Sequence, residues 1–154
     1  MHIKIEEEWG LNERSSLEDI INFKIKEILN KPELGFLRLE KLLHIAENLE
    51  CSSWVTKGWL HKNNIFHLLF TGNVKEKFQI FKMLVNEIGK EKTQELLEEK
   101  NLLVKSPLNT LRKAISWGSR DESIDDDEKL RDNVVVYLEG IDIHLDEQYT
   151  KMDF

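Results

Sequence analysis

The chain has 154 residues, a formal net charge of -7 and 40% apolar residues, with only two prolines and seven glycines. This composition is typical of a folded, mostly helical protein, so we expect one domain over residues 1–154 and not a disordered chain. The excess of acidic residues argues against nucleic acid as a partner, because a phosphate backbone would be repelled on average.

Cysteine usage and hydropathy indicate a cytoplasmic protein. The single cysteine, Cys51, excludes an internal disulfide and a paired-thiolate zinc site, and it favours a reducing compartment. No stretch approaches the roughly 20 apolar residues of a membrane span. The N-terminal sequence MHIKIEEEW has acidic residues where a secretory signal would be apolar. We therefore expect no membrane span.

Helical patterns dominate the first third of the chain. Ser15 and Glu18 have the spacing of a capping box, and apolar residues follow at helical spacing until Pro32. A second helix is predicted from Glu33 to Glu50, where apolar residues lie near one face. Together these elements predict a helical unit that precedes the rest of the fold.

The middle of the chain predicts a turn and two further helices. A tight turn is expected at Lys62–Asn64, and the apolar run Ile65 to Phe70 predicts a short buried helix. Asn73 and Glu76 have the spacing of another capping box, and the helix that they open is expected to end at Gly89.

Turn and cap signals continue after residue 89. A short helix is expected around Thr93 to Glu99, and residues 100–105 are interpreted as a loop or hairpin. Ser106 and Pro107 are typical of an N-cap followed by the first helical residue, and Gly118 is the predicted end of that helix.

The last part of the chain contains an acidic run and an ambiguous segment. The run SRDESIDDDEK, residues 119–129, is too charged to bury and predicts a solvated loop. Residues 130–139 fit either a helix or a strand, because the run Val134-Val135-Val136-Tyr137 lacks a decisive period. We favour a helix, because the neighbouring elements are helical and because of the repeat described next.

Two stretches of the chain share the same order of parts. Asn64-Ile65-Phe66-His67 and Ser106-Pro107-Leu108-Asn109 each open a short helix that ends near a glycine, and a longer apolar segment follows each. The two openings are 42 residues apart. That offset lies in the range of stacked helical repeats.

These parts resemble ankyrin repeats, whose unit has a Thr-Pro-Leu-His opening, a glycine-containing turn, a second helix rich in Val and Leu, and a loop such as Gly-Ala-Asp-Val-Asn. Ser106-Pro107-Leu108 matches one opening, Asn64-Ile65-Phe66-His67 matches another, and residues 138–144 resemble the closing loop. The likeness covers residues 59–145. Only one opening keeps the proline, only the other keeps the histidine, and both units exceed the usual ~33 residues.

The resemblance implies an all-α fold, a helical-repeat solenoid of ankyrin type with an N-terminal helical cap. Its parts would be a cap or degenerate repeat over 15–57, a repeat over 59–99, and a repeat over 100–147 that carries the acidic run as an insertion. In ankyrin-like units the histidine of the opening links neighbouring loops through hydrogen bonds. The residues of the repeat motif carried over to this chain are His67, Gly72, Ser106, Pro107, Leu108 and Gly118.

The resemblance also implies a protein-binding module without enzymatic activity, cofactor or metal ion, in which the partner contacts loop tips and inner helices. Diverged ankyrin proteins of this style resemble those that intracellular bacteria and insect-associated viruses use against host signalling. A host protein such as an NF-κB-type factor is thus one candidate partner, and the chain would act in the host cytoplasm. The partner-binding residues implied are Trp59, Lys62, Asn63, Phe70, Asn101, Leu102, Lys105, Arg112 and Trp117.

Two other classes of function stay open at this point. The net charge and the run Asp121 to Asp127 fit an acidic immunity or antitoxin protein that neutralises a basic toxin. An enzyme would need a site assembled from dispersed residues such as His61, His67 and Cys51. The sequence has no HExxH motif, no Gly-x-Ser-x-Gly elbow and no glycine-rich phosphate loop to favour one.

Overall fold

The computed structural model describes residues 13–112 and 122–152, and within these ranges the chain folds entirely as helices and connecting loops, without a strand. The predicted all-α class is confirmed. None of the helices described is both long and apolar enough to cross a bilayer. The α-helices are α1 Glu13–Asn30, α2 Phe36–Asn48, α3 Ile65–Thr71, α4 Lys77–Ile88, α5 Lys90–Glu98, α6 Glu122–Gly140 and α7 Glu147–Thr150, and 3-10 turns lie at Ser53–Val55, Leu60–Lys62 and Leu108–Thr110.

The helices pack in two rows. In the first row, α1 packs on α3, α3 packs on the 3-10 turn at Leu108–Thr110, and that turn packs on α7. In the second row, α2 packs on α4 and α4 packs on α6. Contacts between α1 and α2 and between α3 and α4 join the rows, so successive helix pairs lie side by side in chain order.

The shortest helix of the first row, α3, is buried along almost its whole length. Six of its seven residues, Ile65 to Phe70, are buried, which agrees with the prediction of a short buried helix. The rings of Phe66 and Phe81 lie with centroids 5.4 Å apart, and those of Phe70 and Phe81 lie 5.9 Å apart. Aromatic contacts of this kind add to the free energy gained from burying apolar area.

Gly72 allows the end of α3 to lie against the end of α1. A Cβ atom at this position would lie 2.3 Å from the carbonyl oxygen of Leu29 and 2.8 Å from that of Leu68. Any side chain would therefore push the two helix ends apart. The prediction that this helix ends near Gly72 is confirmed.

Several predicted boundaries hold, and the predicted caps do not. Helix α1 ends at Asn30, just before Pro32, and α4 ends at Ile88, with Gly89 as its C-cap at a φ of +93°. However, α1 begins at Glu13, so Ser15 lies inside the helix. The Glu18 carboxylate accepts a hydrogen bond from the Ser53 amide at 3.1 Å, and thus ties α1 to the following turn.

The predicted capping box of α4 is also wrong. The side chain of Asn73 donates from Nδ2 to the backbone carbonyl of Asn30 at 3.3 Å. Glu76 precedes the helix in a left-handed conformation, with a φ of 62°, and its side chain makes no capping hydrogen bond. The chain between α3 and α4 is therefore held against the end of α1, and this tertiary contact replaces the local cap.

A helix was predicted from Ser106 to Gly118, and the described part of this segment, residues 106–112, contains a single 3-10 turn at Leu108–Thr110. Leu111 follows it in extended conformation, with φ -73° and ψ 139°. The hydroxyl of Ser106 donates to the Tyr149 carbonyl at 2.8 Å and so supplies no cap. The predicted end at Gly118 lies outside the described residues.

The acidic run was predicted as a solvated loop, and the structure corrects this for the part that it describes. Helix α6 begins at Glu122 and continues to Gly140, so residues 122–129 are helical, and the prediction of a helix over residues 130–139 is confirmed. Asp127 is only 9% exposed. Its Oδ2 atom accepts hydrogen bonds from the backbone N of Arg112 at 3.0 Å and from its Nε at 3.3 Å.

A half-buried lysine, Lys77, lies near this aspartate. Lys77 donates from Nζ to the Phe70 carbonyl at 3.0 Å. Burial lowers the pKa of Lys77 below its ordinary value of 10.5, although the negative charge of Asp127 acts in the opposite direction. The run was misjudged because its charge was averaged over the segment, whereas helical periodicity directs Asp127 toward the protein and leaves Asp126 exposed.

Candidate functional site at two loop tips

Two loops have the same backbone hydrogen bonds, 42 positions apart. In the first tip, residues 59–63, the Trp59 amide donates to Asn63 O at 2.8 Å and the Lys62 amide donates to Trp59 O at 3.0 Å. In the second tip, residues 101–105, the Asn101 amide donates to Lys105 O and the Val104 amide donates to Asn101 O, both at 3.0 Å. The offset seen in the sequence thus recurs in the geometry of the loops.

The same offset relates the left-handed residues of the two tips. Lys62 and Val104 occupy matching positions, with φ values of 58° and 61°. His61 is also left-handed, so the tight turn falls at His61–Lys62 and not at the predicted Lys62–Asn64. A left-handed conformation is unusual for a β-branched residue, which marks Val104 as a position where the surrounding structure imposes the backbone.

Hydrogen bonds join the two tips to each other. The Leu102 amide donates to His61 O at 2.9 Å. The side chain of Asn101 donates from Nδ2 to Asn63 Oδ1 at 2.8 Å. Both backbone and side-chain bonds therefore hold the tips in one arrangement.

Asn101 also organises the second tip from within. Its Oδ1 atom accepts hydrogen bonds from the amides of Leu103 at 2.9 Å and Lys105 at 3.1 Å. The residue is 8% exposed. Asn101 was predicted to contact a partner, and in the structure its side chain is occupied in shaping the loop.

His67 fixes the base of the second tip to α3. Its Nδ1 atom accepts a hydrogen bond from the Asn64 amide at 3.0 Å, and its Nε2 atom lies 2.8 Å from Lys105 O. A backbone N–H only donates and a carbonyl only accepts, so Nδ1 carries no proton and Nε2 donates. His67 is thus neutral, and it links the chain before α3 to the neighbouring loop.

Burial of His67 favours this neutral form. The residue is fully buried, and this burial lowers the pKa of its imidazole below 6.5. The Lys105 carbonyl and the charge of Glu99 act in the opposite direction but do not outweigh burial. Both ring nitrogens are already used, so neither is available to a metal ion or a substrate in this conformation.

Asn64 caps α3, whereas the sequence predicted it as the end of a tight turn and as the first residue of an opening motif. Its Oδ1 atom accepts from the amides of Phe66 at 3.0 Å and His67 at 3.2 Å. Its Nδ2 atom donates to Leu96 O at 2.8 Å and to Glu99 Oε1 at 3.1 Å. An asparagine directly before an apolar helical run is the signal that would have identified this cap.

Apolar side chains project from both tips. Leu60 is 70% exposed on the first tip, and Leu102, Leu103 and Val104 are 59%, 62% and 69% exposed on the second. Grouped exposure of large apolar residues is a feature of interaction sites. Leu102 was predicted from the sequence to bind a partner, and the run of three successive apolar residues in a predicted loop is the signal that also points to Leu103 and Val104.

The tips are also basic within an acidic chain. Neither residues 51–75 nor residues 100–120 contain an aspartate or glutamate. Lys57, Lys62 and Lys100 are exposed, and so is His61. The apolar side chains of the tips therefore lie beside exposed lysines, and the nearest acidic residue in the sequence, Glu99, accepts a hydrogen bond from Asn64 Nδ2.

The remaining predicted binding residues are distributed differently. Trp59, Asn63 and Lys105 are half-buried at the bases of the tips. Phe70 was also predicted to contact a partner, and the structure places it inside the aromatic core, where it is 2% exposed. Arg112 is exposed but bonded to Asp127, and Trp117 lies outside the described residues.

The residues weighed for an enzyme site have separate environments. His61 is exposed on the first tip, whereas His67 is buried and hydrogen-bonded at the base of the second. Cys51 is buried after α2, where its thiol lies 3.6 Å from Leu49 O. Within the described ranges, no group of three or more His, Cys, Asp or Glu side chains is placed to hold a metal ion.

Comparisons of the chain with protein families, curated proteins and solved structures gave no match.

Proposed function

We propose that the chain is a protein-binding module and that the two tips are its recognition surface. The observation that carries this proposal is the exposure of four large apolar side chains, Leu60 and Leu102 to Val104, on loops that are hydrogen-bonded to each other. Loops that are already ordered lose little conformational entropy when a partner binds. Apolar anchors beside lysines fit a partner surface with an apolar recess and an acidic rim.

The architecture supports the same proposal. Helix pairs lie side by side in two rows, and the loops that join them repeat their hydrogen bonds at an offset of 42 residues. We propose that this arrangement is a divergent ankyrin-type solenoid with α1 and α2 as its N-terminal cap. On that reading the partner is a signalling protein of a host cell, such as an NF-κB-type factor, and the chain acts in the host cytoplasm.

The alternative is an immunity protein that blocks a basic toxin through its acidic surface. Its support in the sequence was the net charge of -7 and the acidic run, and the described part of that run is helical, with Asp127 buried. The exposed apolar side chains of the tips favour the first proposal. A basic toxin that binds independently of the tips would favour the alternative.

The proposal is tested by affinity capture from eukaryotic and bacterial lysates, with the purified chain as bait. The variant Leu102→Ser/Leu103→Ser removes two exposed side chains from the second tip. The matched control is Phe23→Ser/Leu37→Ser, which removes side chains that are 65% and 66% exposed on α1 and α2. Circular dichroism establishes that both variants are folded.

We expect a protein captured by the unaltered chain to be retained by the control and reduced at least about tenfold with the tip variant, which corresponds to about 1.4 kcal/mol of binding free energy. Capture that is unaffected by the tip variant, or lost with the control alone, would contradict the proposal.

A further inference from the structure

A recess of about 250 Å³ opens where the last turns of α6 meet α7 and the loop that joins them. It is smaller than the ~300–1,000 Å³ of a typical small-molecule site, which suits one or two side chains rather than a cofactor. Its lining residues are Val135, Leu138, Glu139, Ile143, His144, Leu145, Glu147 and Thr150.

The recess has an acidic rim. Glu139 and Glu147 line it and are exposed. Basic side chains also lie near it: Lys151, which follows Thr150, is exposed, and His144 and Arg131 have carboxylate neighbours. His144 Nε2 lies 2.9 Å from Asp142 Oδ1, and Arg131, which donates to Thr150 O, lies 3.1 Å from Asp132 Oδ1. The charge around the opening is therefore negative.

This recess and the second tip are complementary: one is a concave apolar surface with negative charge at its rim, and the other projects apolar side chains beside positive charge. The tip presents Leu103 and Val104, with Lys100 and Lys62 beside them. The recess presents apolar side chains such as Val135 and Leu145 below two exposed carboxylates. Within one copy the tip is exposed, so it does not fill the recess of its own chain.

We propose that the second tip of one copy docks into the recess of a second copy. Lys62 and Lys100 then lie opposite Glu139 and Glu147, and the apolar side chains of the tip enter the recess. Because tip and recess are different surfaces, the contact is either exchanged reciprocally in a dimer or repeated head to tail. The inference rests on the proposed function in taking the tips as a docking surface, and a partner protein bound there would compete with the second copy.

The test exchanges charges across the contact. Lys62→Glu/Lys100→Glu reverses the charge beside the second tip, and Glu139→Lys/Glu147→Lys reverses the charge at the rim of the recess. Sedimentation velocity over a series of protein concentrations measures association of the unaltered chain, of each variant alone, and of the two variants mixed. Lys24→Glu/Lys26→Glu, at exposed positions of α1, has the same change in net charge as Lys62→Glu/Lys100→Glu and is the control for that variant.

The unaltered chain and the control are expected to associate equally, with weaker association at high salt. Each reversed variant alone is expected to associate at least about tenfold more weakly, a loss of about 1.4 kcal/mol. The mixture is expected to recover association, because the reversed tip faces the reversed recess. If a reversal disturbs folding, Lys62→Gln/Lys100→Gln and Glu139→Gln/Glu147→Gln are expected to weaken association in the same way.

A chain that stays monomeric at every concentration, or a mixture that recovers nothing, would overturn the inference. A monomeric chain that still captures a partner through its tips leaves the proposed function standing. Self-association through tip and recess without any captured partner would support the inference and count against the proposed function.

Discussion

The two tips share their backbone hydrogen bonds, but the segments that follow them differ. After the first tip, Asn64 opens the seven-residue helix α3. After the second tip, Ser106 and Pro107 lead into a single 3-10 turn, and Leu111 is already extended. Similar loops therefore do not require similar helices behind them.

The difference lies in the chemistry of the cap. The Asn64 side chain accepts hydrogen bonds from two backbone amides of the helix, and the His67 side chain accepts one from the backbone amide of Asn64. In the second segment Asn109 accepts the Ser106 amide at 2.9 Å, as His67 does at the matching position. The Ser106 hydroxyl, however, donates to Tyr149 O and leaves the turn without a side-chain cap. The hydrogen bond from the backbone amide of the first residue to the side chain three residues later is thus present in both segments. The hydrogen bonds from helix amides to the side chain of the first residue are present only in the first segment.

The largest expected contrast is between core substitutions at matching positions. Phe66 and Leu108 both have no exposed surface. We expect Phe66→Ala to lower the free energy of unfolding by about 3–5 kcal/mol, because it removes a ring that contacts Phe70 and Phe81. Leu108→Ala should fall near the lower end of about 2–5 kcal/mol, because a single turn relaxes more easily than a helix.

Urea denaturation of both variants measures these values. A loss for Leu108→Ala that exceeds that for Phe66→Ala would show that the second segment, despite its short turn, is the more tightly packed of the two.

The second contrast concerns the residues that close the two openings. His67→Ala leaves the Asn64 amide and the Lys105 carbonyl without their present partners, at a cost of about 1–3 kcal/mol. Asn109→Ala should cost about 1 kcal/mol, because Asn109 is half-buried and water can replace part of its hydrogen bonding.

Thermal unfolding gives the two values, and amide exchange at Leu103 and Lys105 reports on the second tip. Faster exchange there in His67→Ala than in Asn109→Ala is the expected result. Equal exchange would mean that His67 does not hold the tip.

The third contrast is that the first opening contains a titratable side chain, His67, whereas the matching residue of the second opening is Asn109. The pKa of His67 in the folded chain is held below 6.5, so as the pH falls the unfolded chain takes up a proton at this residue at a higher pH than the folded chain does. The contribution of neutral His67 to stability is therefore fully present above about pH 6.5 and is lost as the pH falls below that value.

His67→Gln should reduce the fall in unfolding free energy between about pH 7.5 and about pH 5.5, whereas Asn109→Gln should leave it unchanged. Denaturation of both variants at the two pH values tests this. The other histidines are common to both variants and cancel in the comparison. An equal fall in all three chains would contradict the assignment of the neutral form.

The smallest contrast is between the left-handed residues of the tips. The left-handed conformation of Val104 costs roughly 1–2 kcal/mol, and Val104→Gly removes this strain. Glycine has more freedom in the unfolded chain, and this offsets roughly half of the gain in stability. We expect a net gain of up to about 1 kcal/mol for Val104→Gly and less for Lys62→Gly. Differential scanning calorimetry resolves a difference of this size, and a loss of stability in Val104→Gly would show that the exposed valine contributes contacts within the tip.

The sequence by itself determined the helical class, the ends of α1 and α4, the short buried helix α3, and the offset of 42 residues between the two openings. These features depend on local chemistry. Pro32 and Gly89 end helices through their own backbone preferences, and six successive apolar or aromatic-ring residues before Gly72 have few alternatives to burial.

The tertiary structure decided which of several locally acceptable partners each polar group takes. Glu18 bonds to Ser53 and Asp127 to Arg112, residues that are distant in sequence, and Ser106 is drawn to Tyr149. It also decided that Phe70 is buried while Leu103 and Val104 are exposed, although all three stand in apolar runs. Periodicity specifies which residues share a face, but only the packing of distant elements specifies which face is covered.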